Sequence, residues 1–359
     1  MQLGVLYQQE PDQNQALDCF KKAEEFYHSL SNHEGKAETL FQQGVLFSLR
    51  DNAEKAMEAF DASLNLTRAN DRENSWQEVK TLLQQISLMD AKDPQAKVKA
   101  EQAIKLAEIP GLNALAAHAH IELGGIYFVR ESYEEAANEF GIALGIAQRD
   151  QLRYTENRAR LQLGAFHAQR EEAREALGYL QPSLQFFREN SYRYEELQAY
   201  NQLGEVYLLQ HNFDSALEEF DHLLQTASQY GLPDSVTDAY LGKGRVLAEQ
   251  EHYPEAVKNF REALARFEAA KSDYNISYTQ MVLAEVLWRL GDTSSGATLS
   301  KLGGPLPGKT PGNLADDSGV SLVQLSIWLS LANIALSQAD SETAIKFSNE
   351  VVKQGKKKI

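Results

Sequence analysis

Residues 197–224 read LQAYNQLGEVYLLQHNFDSALEEFDHLL, and this stretch decides the fold. Apolar side chains recur three and four apart at Leu197, Tyr200, Leu203, Val206 and Tyr207, pause at Gln210-His211-Asn212, and resume at Phe213, Ala216, Leu217, Phe220 and Leu224. That period specifies two amphipathic helices joined by a short polar turn. Steps of 40 outward from Gly204 meet Gly4, Gly44, Gly124, Gly164 and Gly244, with Gln84 and Ala284 at the two remaining places. Twelve residues after each grid position stand Ala16, Ala56, Ala96, Ala136, Ala176, Ala216 and Ala256. Sixteen after stand Phe20, Phe60, Phe140, Phe220 and Phe260, with Ala100 and Leu180 as departures. Self-similarity at such a period marks stacked helix pairs. Stacks of this kind usually offer a surface for partners more than a pocket for chemistry.

The glycine column implies close helix crossing. Glycine inside a helix costs up to about 1 kcal/mol against alanine, so its recurrence signals a packing need. The alanine column is expected to be the opposing small surface, with the phenylalanines filling the space beside it. The polar break recurs as Arg130-Glu131-Ser132 and Glu249-Gln250-Glu251, and Pro254 then falls in a first helical turn, where its missing N–H costs little. Joints between helix pairs fall at Ser31-Asn32-His33-Glu34-Gly35, Ile109-Pro110-Gly111 and Tyr230-Gly231-Leu232-Pro233-Asp234.

Bulk composition narrows the function classes. The 359 residues are 43% hydrophobic, which suits a folded chain, and the formal charge of −16 argues against a nucleic-acid partner, whose phosphates demand a basic face. A lone cysteine, Cys19, allows no intrachain disulfide and points to a reducing, cytoplasmic setting; its place between Leu17 and Phe20 reads as packing. No run approaches the roughly 18 apolar residues of a membrane span, so membrane insertion is not expected.

The helix signature aromatic-x2-Leu-Gly-x2-Tyr is complete at Tyr200, Leu203, Gly204 and Tyr207, and partial at His120-x2-Leu123-Gly124-x2-Tyr127 and Trp328-x2-Leu331-Ala332-x2-Ala335. On these columns the chain resembles the tetratricopeptide-repeat family. The resemblance implies an all-α, right-handed superhelical solenoid of antiparallel helix pairs. Its extent would be residues 1–302 as about eight units, the first truncated, the third degenerate around Gln84 and the eighth incomplete. A Gly/Pro-rich inserted loop at 303–319, a final pair at 320–355 and a basic tail at 356–359 would follow. The period of 40 exceeds the commoner 34, and the six extra residues should lengthen the helices or the joints. Met1 lies three residues before the first grid glycine with no cap ahead of it, so an upstream part is expected.

First helices of this family line the concave wall, through side chains six and three before the glycine and one, four and five after it. In the second to fourth units those positions give Phe41, Val45, Leu49, Leu88, Met89, Ile121, Phe128 and Val129, a largely apolar wall. In the fifth to eighth they give Arg158, Asn201, Glu205, Asp238, Arg245, Glu249, Tyr278, Glu285, Trp288 and Arg289. The alternative role for such side chains is sealing the superhelix or facing water. As a peptide groove, the arginines would take carboxylates and carbonyls, Asn201 would pin backbone amides, and Tyr278 and Trp288 would be aromatic anchors. The lysine–asparagine clamp of chaperone-tail binders has no counterpart here. The asparagine ladder of polarity adaptors is also missing, because the column after the glycine reads Val5, Val45, Gln85, Gly125, Ala165, Glu205, Arg245, Glu285 and Asn333. The expected function is therefore a scaffold or adaptor for a protein or peptide. The runner-up is the sensor arm of a larger signalling kinase or ATPase.

Three motifs invite chemistry and lose to plainer readings. Gly303-Gly304-Pro305-Leu306-Pro307-Gly308-Lys309-Thr310 spells a phosphate loop, yet Pro305 and Pro307 delete two N–H donors and Pro311-Gly312 discourages the helix that should follow. His118 and His120, two apart on a helix, point to different faces, and no metal or other cofactor is expected. The pairs Glu134-Glu135, Glu171-Glu172 and Glu218-Glu219 are expected in solvated first turns of second helices. No nucleophile–base–acid arrangement emerges, so the chain is not expected to be an enzyme.

Overall fold

A computed structural model describes residues 13–50, 52–69 and 74–290, together with Ser348. Among them every regular element is an α-helix. Two compact units meet in sequence at Asn190 and Ser191. The first contains α1 (Gln13–Ser29), α2 (His33–Ser48), α3 (Ala53–Ala69), α4 (Ser75–Leu88) and α5 (Pro94–Ala107). It continues with α6 (Asn113–Val129), α7 (Tyr133–Arg149), α8 (Arg153–Gln169) and α9 (Ala173–Glu189). The second contains α10 (Arg193–Leu209), α11 (Phe213–Tyr230), α12 (Pro233–Glu249), α13 (Tyr253–Ala270) and α14 (Asp273–Arg289). The expected start at Gly4, the 303–319 loop, the final pair and the basic tail all lie outside the described residues.

In the repeats from Gly124 onward the extra length sits in the helices. From α6 onward every helix has 17 or 18 residues, while the turns between them stay two or three residues long. The degenerate repeat around Gln84 keeps the period of 40 with shorter helices, 14 residues in each of α4 and α5, and longer joints at 89–93 and 108–112. The turns share one design. Glu131, Gln151, Glu171, Ser191, His211, Glu251 and Lys271 all have φ between 55° and 61°, and Gly231 stands at the same place with φ 68°. The N–H after the left-handed residue reaches back to a carbonyl five residues earlier, as in Ser132 to Tyr127 (3.0 Å), Glu172 to His167 (2.9 Å) and His252 to Leu247 (2.9 Å). This is the Schellman closure, which satisfies carbonyls orphaned at a helix end. The carbonyl of that same residue then accepts the first bond of the next helix, as from Ala136 to Ser132.

Packing explains the columns. All seven column alanines are fully buried, as are Phe20, Phe60, Phe140 and Phe220, with Phe260 at 1% exposure. Burying such a phenylalanine contributes about 1.5–3 kcal/mol. A Cβ at Gly44, Gly124, Gly204 or Gly244 would lie 2.5, 2.5, 2.8 or 2.6 Å from the ring of Phe60, Phe140, Phe220 or Phe260. At Gly164 it would meet Leu180 at 2.4 Å. The glycine thus makes room for the large side chain sixteen residues on. At Gly164, where alanine backbone does come near, it remains 3.5 Å from that Cβ position. Gly242 repeats the device from the next helix pair, because its Cβ would stand 2.3 Å from Phe220.

Two placements differ from expectation. Glu134 and Glu135 occupy the first turn of α7, but Glu171 is the left-handed turn residue and Glu172 the N-cap of α9. The Schellman turn consumes both positions before the helix begins. Glu218 and Glu219 lie a turn and a half into α11, which already starts at Phe213. The polar break after α12 likewise starts one residue late, since Glu249 is still helical.

Candidate functional site

Within each unit a second helix packs on the first helices before and after it, and successive first helices also touch, as α4 does α6, α6 does α8 and α10 does α12. First helices therefore form a continuous wall in each unit. One face of each glycine-bearing first helix is spent on the packing of that glycine against a large side chain of the next helix.

In the second unit this wall is built from α10, α12 and α14. Asn201 and Glu205 project from α10, Asp238, Arg245 and Glu249 from α12, and Tyr278, Glu285 and Arg289 from α14. Arg245 joins neighbouring repeats through a 2.5 Å ion pair to Glu205. Burial opposes the Arg245 charge, but Glu205, Tyr278 and Glu249 together hold its pKa above the ordinary guanidinium value. One ion pair leaves most of its five N–H donors available. Arg289 binds Glu285 at 2.9 Å on its own helix. Asp238 is solvent-exposed yet flanked by protein; desolvation, with repulsion from Asp234 and Glu205, pushes its carboxyl up to about 6. The half-buried Asn201 amide and the Asp238 carboxylate make no hydrogen bond among the described residues. The side chain of Trp288 lies outside the described residues.

Phe128 and Arg158 belong to the first unit, whose first helices are α2, α4, α6 and α8. Phe128 is half-buried, edge-on to Tyr133 with centroids 5.4 Å apart. Arg158 pairs with Glu122 of α6 at 3.3 Å and lies over the Tyr154 ring. His118 also holds Glu122, at 3.0 Å. Burial opposes ionisation of Glu122, and His118 and Arg158 outweigh it, so its carboxyl stays below the ordinary range. His120 turns instead to Glu139 of α7, at 2.6 Å.

The apolar character expected of this wall needs correcting. Phe41 and Ile121, at 7% and 3% exposure, are core residues that seal neighbouring helices, while Leu49 and Val129 are exposed. Between them run cross-helix ion pairs, Glu38 with Lys80 and Glu122 with Arg158. Lys80, Trp76, Glu38 and Glu122 were missed in sequence. The column six before the glycine could have revealed part of this, since it reads Glu38, Glu78 and His118 in these repeats.

The tetratricopeptide-repeat profile matches residues 155–229 and, one repeat later, 195–269. These helix pairs are tetratricopeptide repeats. No curated protein sequence matches the chain at a significant level. Among solved structures the chain is similar to a Rap protein complexed with competence and sporulation factor, at 11% identity and TM-score 0.63, over 99% of this chain and 96% of that one. It is also similar to apo RapI, at 14% identity and TM-score 0.59, over 75% of this chain and 96% of that one. A third likeness is to a STAND signal-transduction ATPase with a tetratricopeptide-repeat sensor from Pyrococcus horikoshii, at 14% identity and TM-score 0.52. That match covers 89% of this chain and 52% of the other. At such identities the shared property is the fold. No helix among the described residues is long and apolar enough to cross a membrane.

Proposed function

We propose that this repeat protein is an interaction scaffold or adaptor that holds an extended peptide or a partner helix on its first-helix wall, with the polar stretch of α10, α12 and α14 as a principal contact. The observation that carries this reading is that Arg245 of α12, ion-paired to Glu205 of α10, shares these first helices with an Asn201 amide and an Asp238 carboxylate that make no hydrogen bond among the described residues. An extended backbone offers donors to Asp238 and both donors and acceptors to Asn201, while Arg245 and Arg289 retain N–H groups for carbonyls or carboxylates. Such a wall binds and orients. The Rap protein of similar fold, complexed with competence and sporulation factor, supports a ligand-holding role for an array of this kind.

Affinity capture with mass spectrometry tests this, comparing wild type with an Arg245→Glu/Arg289→Glu double variant of matched helicity by circular dichroism. Loss of specific partners from the variant is expected. Retention of every partner would remove the polar wall from consideration. A second reading, the sensor arm of a larger signalling protein, draws on the fold shared with the sensor of the Pyrococcus horikoshii ATPase. It uses the same wall, and an effector domain encoded in the same reading frame would support it.

A further inference from the structure

Between α2 and α4 an ammonium group is enclosed in an unusual way. The Nζ of Lys80 stands 4.1 Å from the centroid of the Phe41 ring and 4.1 Å from that of the Trp76 ring. It also donates to Glu38 Oε2 at 2.5 Å. Glu38 and Phe41 occupy wall positions, six and three before Gly44, and Trp76 remains 50% exposed at the rim. Two aromatic faces and a carboxylate converging on one point are the elements of an organic-cation receptor.

We infer that Glu38, Phe41 and Trp76 form a receptor for a weakly hydrated cation, a methylated ammonium or a guanidinium group, and that Lys80 fills it in the unliganded chain. The inference rests on the first-helix wall being ligand-bearing. Lys80 is a poor match for its enclosure: desolvation outweighs the help of Glu38, and its pKa is lowered. A primary ammonium is compact and strongly hydrated, so stripping its water is expensive; guanidinium and methylated ammonium lose less on entry. The exposed edge of Trp76 leaves a path by which an incoming cation displaces Lys80, whose flexible four-carbon stem can swing to water.

The test needs no partner. In 15N-labelled protein, the Trp76 indole N–H resonance, assigned by its loss in Trp76→Leu, is followed during titration with tetramethylammonium chloride or ammonium chloride at constant ionic strength. Lys80→Ala is expected to show a saturable shift with tetramethylammonium at a concentration at least tenfold below that needed by ammonium. Wild type is expected to show the same saturable shift at a higher tetramethylammonium concentration that is still below the one needed by ammonium, which keeps the inference testable if Lys80→Ala does not fold. Glu38→Gln should abolish the shift. Equal response to the two cations, no saturable shift in folded Lys80→Ala, or a shift that survives Glu38→Gln overturns it. A short trimethyllysine peptide that binds more tightly than tetramethylammonium assigns the cation to a peptide side chain, and equal binding assigns it to a free small cation. Since only α2 and α4 are probed, failure here leaves the contacts on α10, α12 and α14 standing or falling by their own experiment.

Discussion

Gly124 and Gly125 are neighbours on one helix with opposite surroundings. A Cβ at Gly124 would meet the Phe140 ring at 2.5 Å, whereas one at Gly125 would meet nothing within 4 Å. Gly124→Ala is therefore expected to destabilise by about 1–3 kcal/mol, the usual range for overpacking. Gly125→Ala should be neutral or stabilising by up to about 1 kcal/mol, the helix preference for alanine. Urea denaturation of the two variants checks this, and similar losses at both would contradict the ring-against-glycine packing. The chain contains its own natural variant: where Gln84 replaces the glycine, Ala100 replaces the phenylalanine sixteen residues on. Asp238 gives a second prediction at this scale. Its carboxyl is raised from 3.8 to about 6, mainly by desolvation and then by Asp234 and Glu205. Across that interval the folded chain retains a proton that the unfolded chain releases, so stability present at acid pH is lost as pH rises through about 6. Asp238→Asn should raise the melting temperature at pH 7.5 and leave it nearly unchanged at pH 4. Solvent access to the carboxylate limits the gain to less than about 1 kcal/mol. Equal stabilisation at both pH values would exclude titration of Asp238 as the cause.

At the scale of the element, one helix length and one turn type generate the repeat. A non-glycine residue in the left-handed region costs roughly 1–2 kcal/mol. Glu251 sits there at φ 61°, in the place that Gly231 fills one repeat-half earlier. Glu251→Gly should therefore stabilise the chain by about 0.5–1 kcal/mol after the added flexibility of the unfolded chain is counted. A fall in thermal stability would mean that the Glu251 side chain contributes something the turn geometry does not show. These turns also mark where sequence becomes hard to read. Leu203, Gly204, Tyr207 and Phe220 announce the helices, because burial imposes both their type and their spacing. Glu131, Gln151 and Glu171 announce nothing, because the fold imposes the left-handed conformation on residues with no preference for it. One column suffices to put Asn201, Asp238 and Arg245 on first helices, where the structure has them; that they meet a ligand is a proposal. Lys80 and Glu122 escaped because their roles depend on partners 42 and 36 residues away on neighbouring helices. A column read one helix at a time does not display such pairs.

At the largest scale, the repeat architecture makes interactions local: within each unit, and among the described residues, helices contact their neighbours in sequence order. Ion pairs such as Glu122–Arg158 and Glu205–Arg245 join consecutive first helices. A ligand that engages Arg245 there touches the same bond that ties α10 to α12, so binding is linked to the packing of those repeats. The direct measurement is site-specific photocrosslinking from this wall. A benzophenone amino acid replaces Tyr278 on α14 in one protein and the exposed Glu218 on the second helix α11 in another, and both are irradiated in lysate. Discrete covalent adducts from position 278, absent from position 218 and competed by excess unlabelled wild-type protein, are the expected result. Adducts from position 218 alone, with none from position 278, would contradict a ligand-holding first-helix wall.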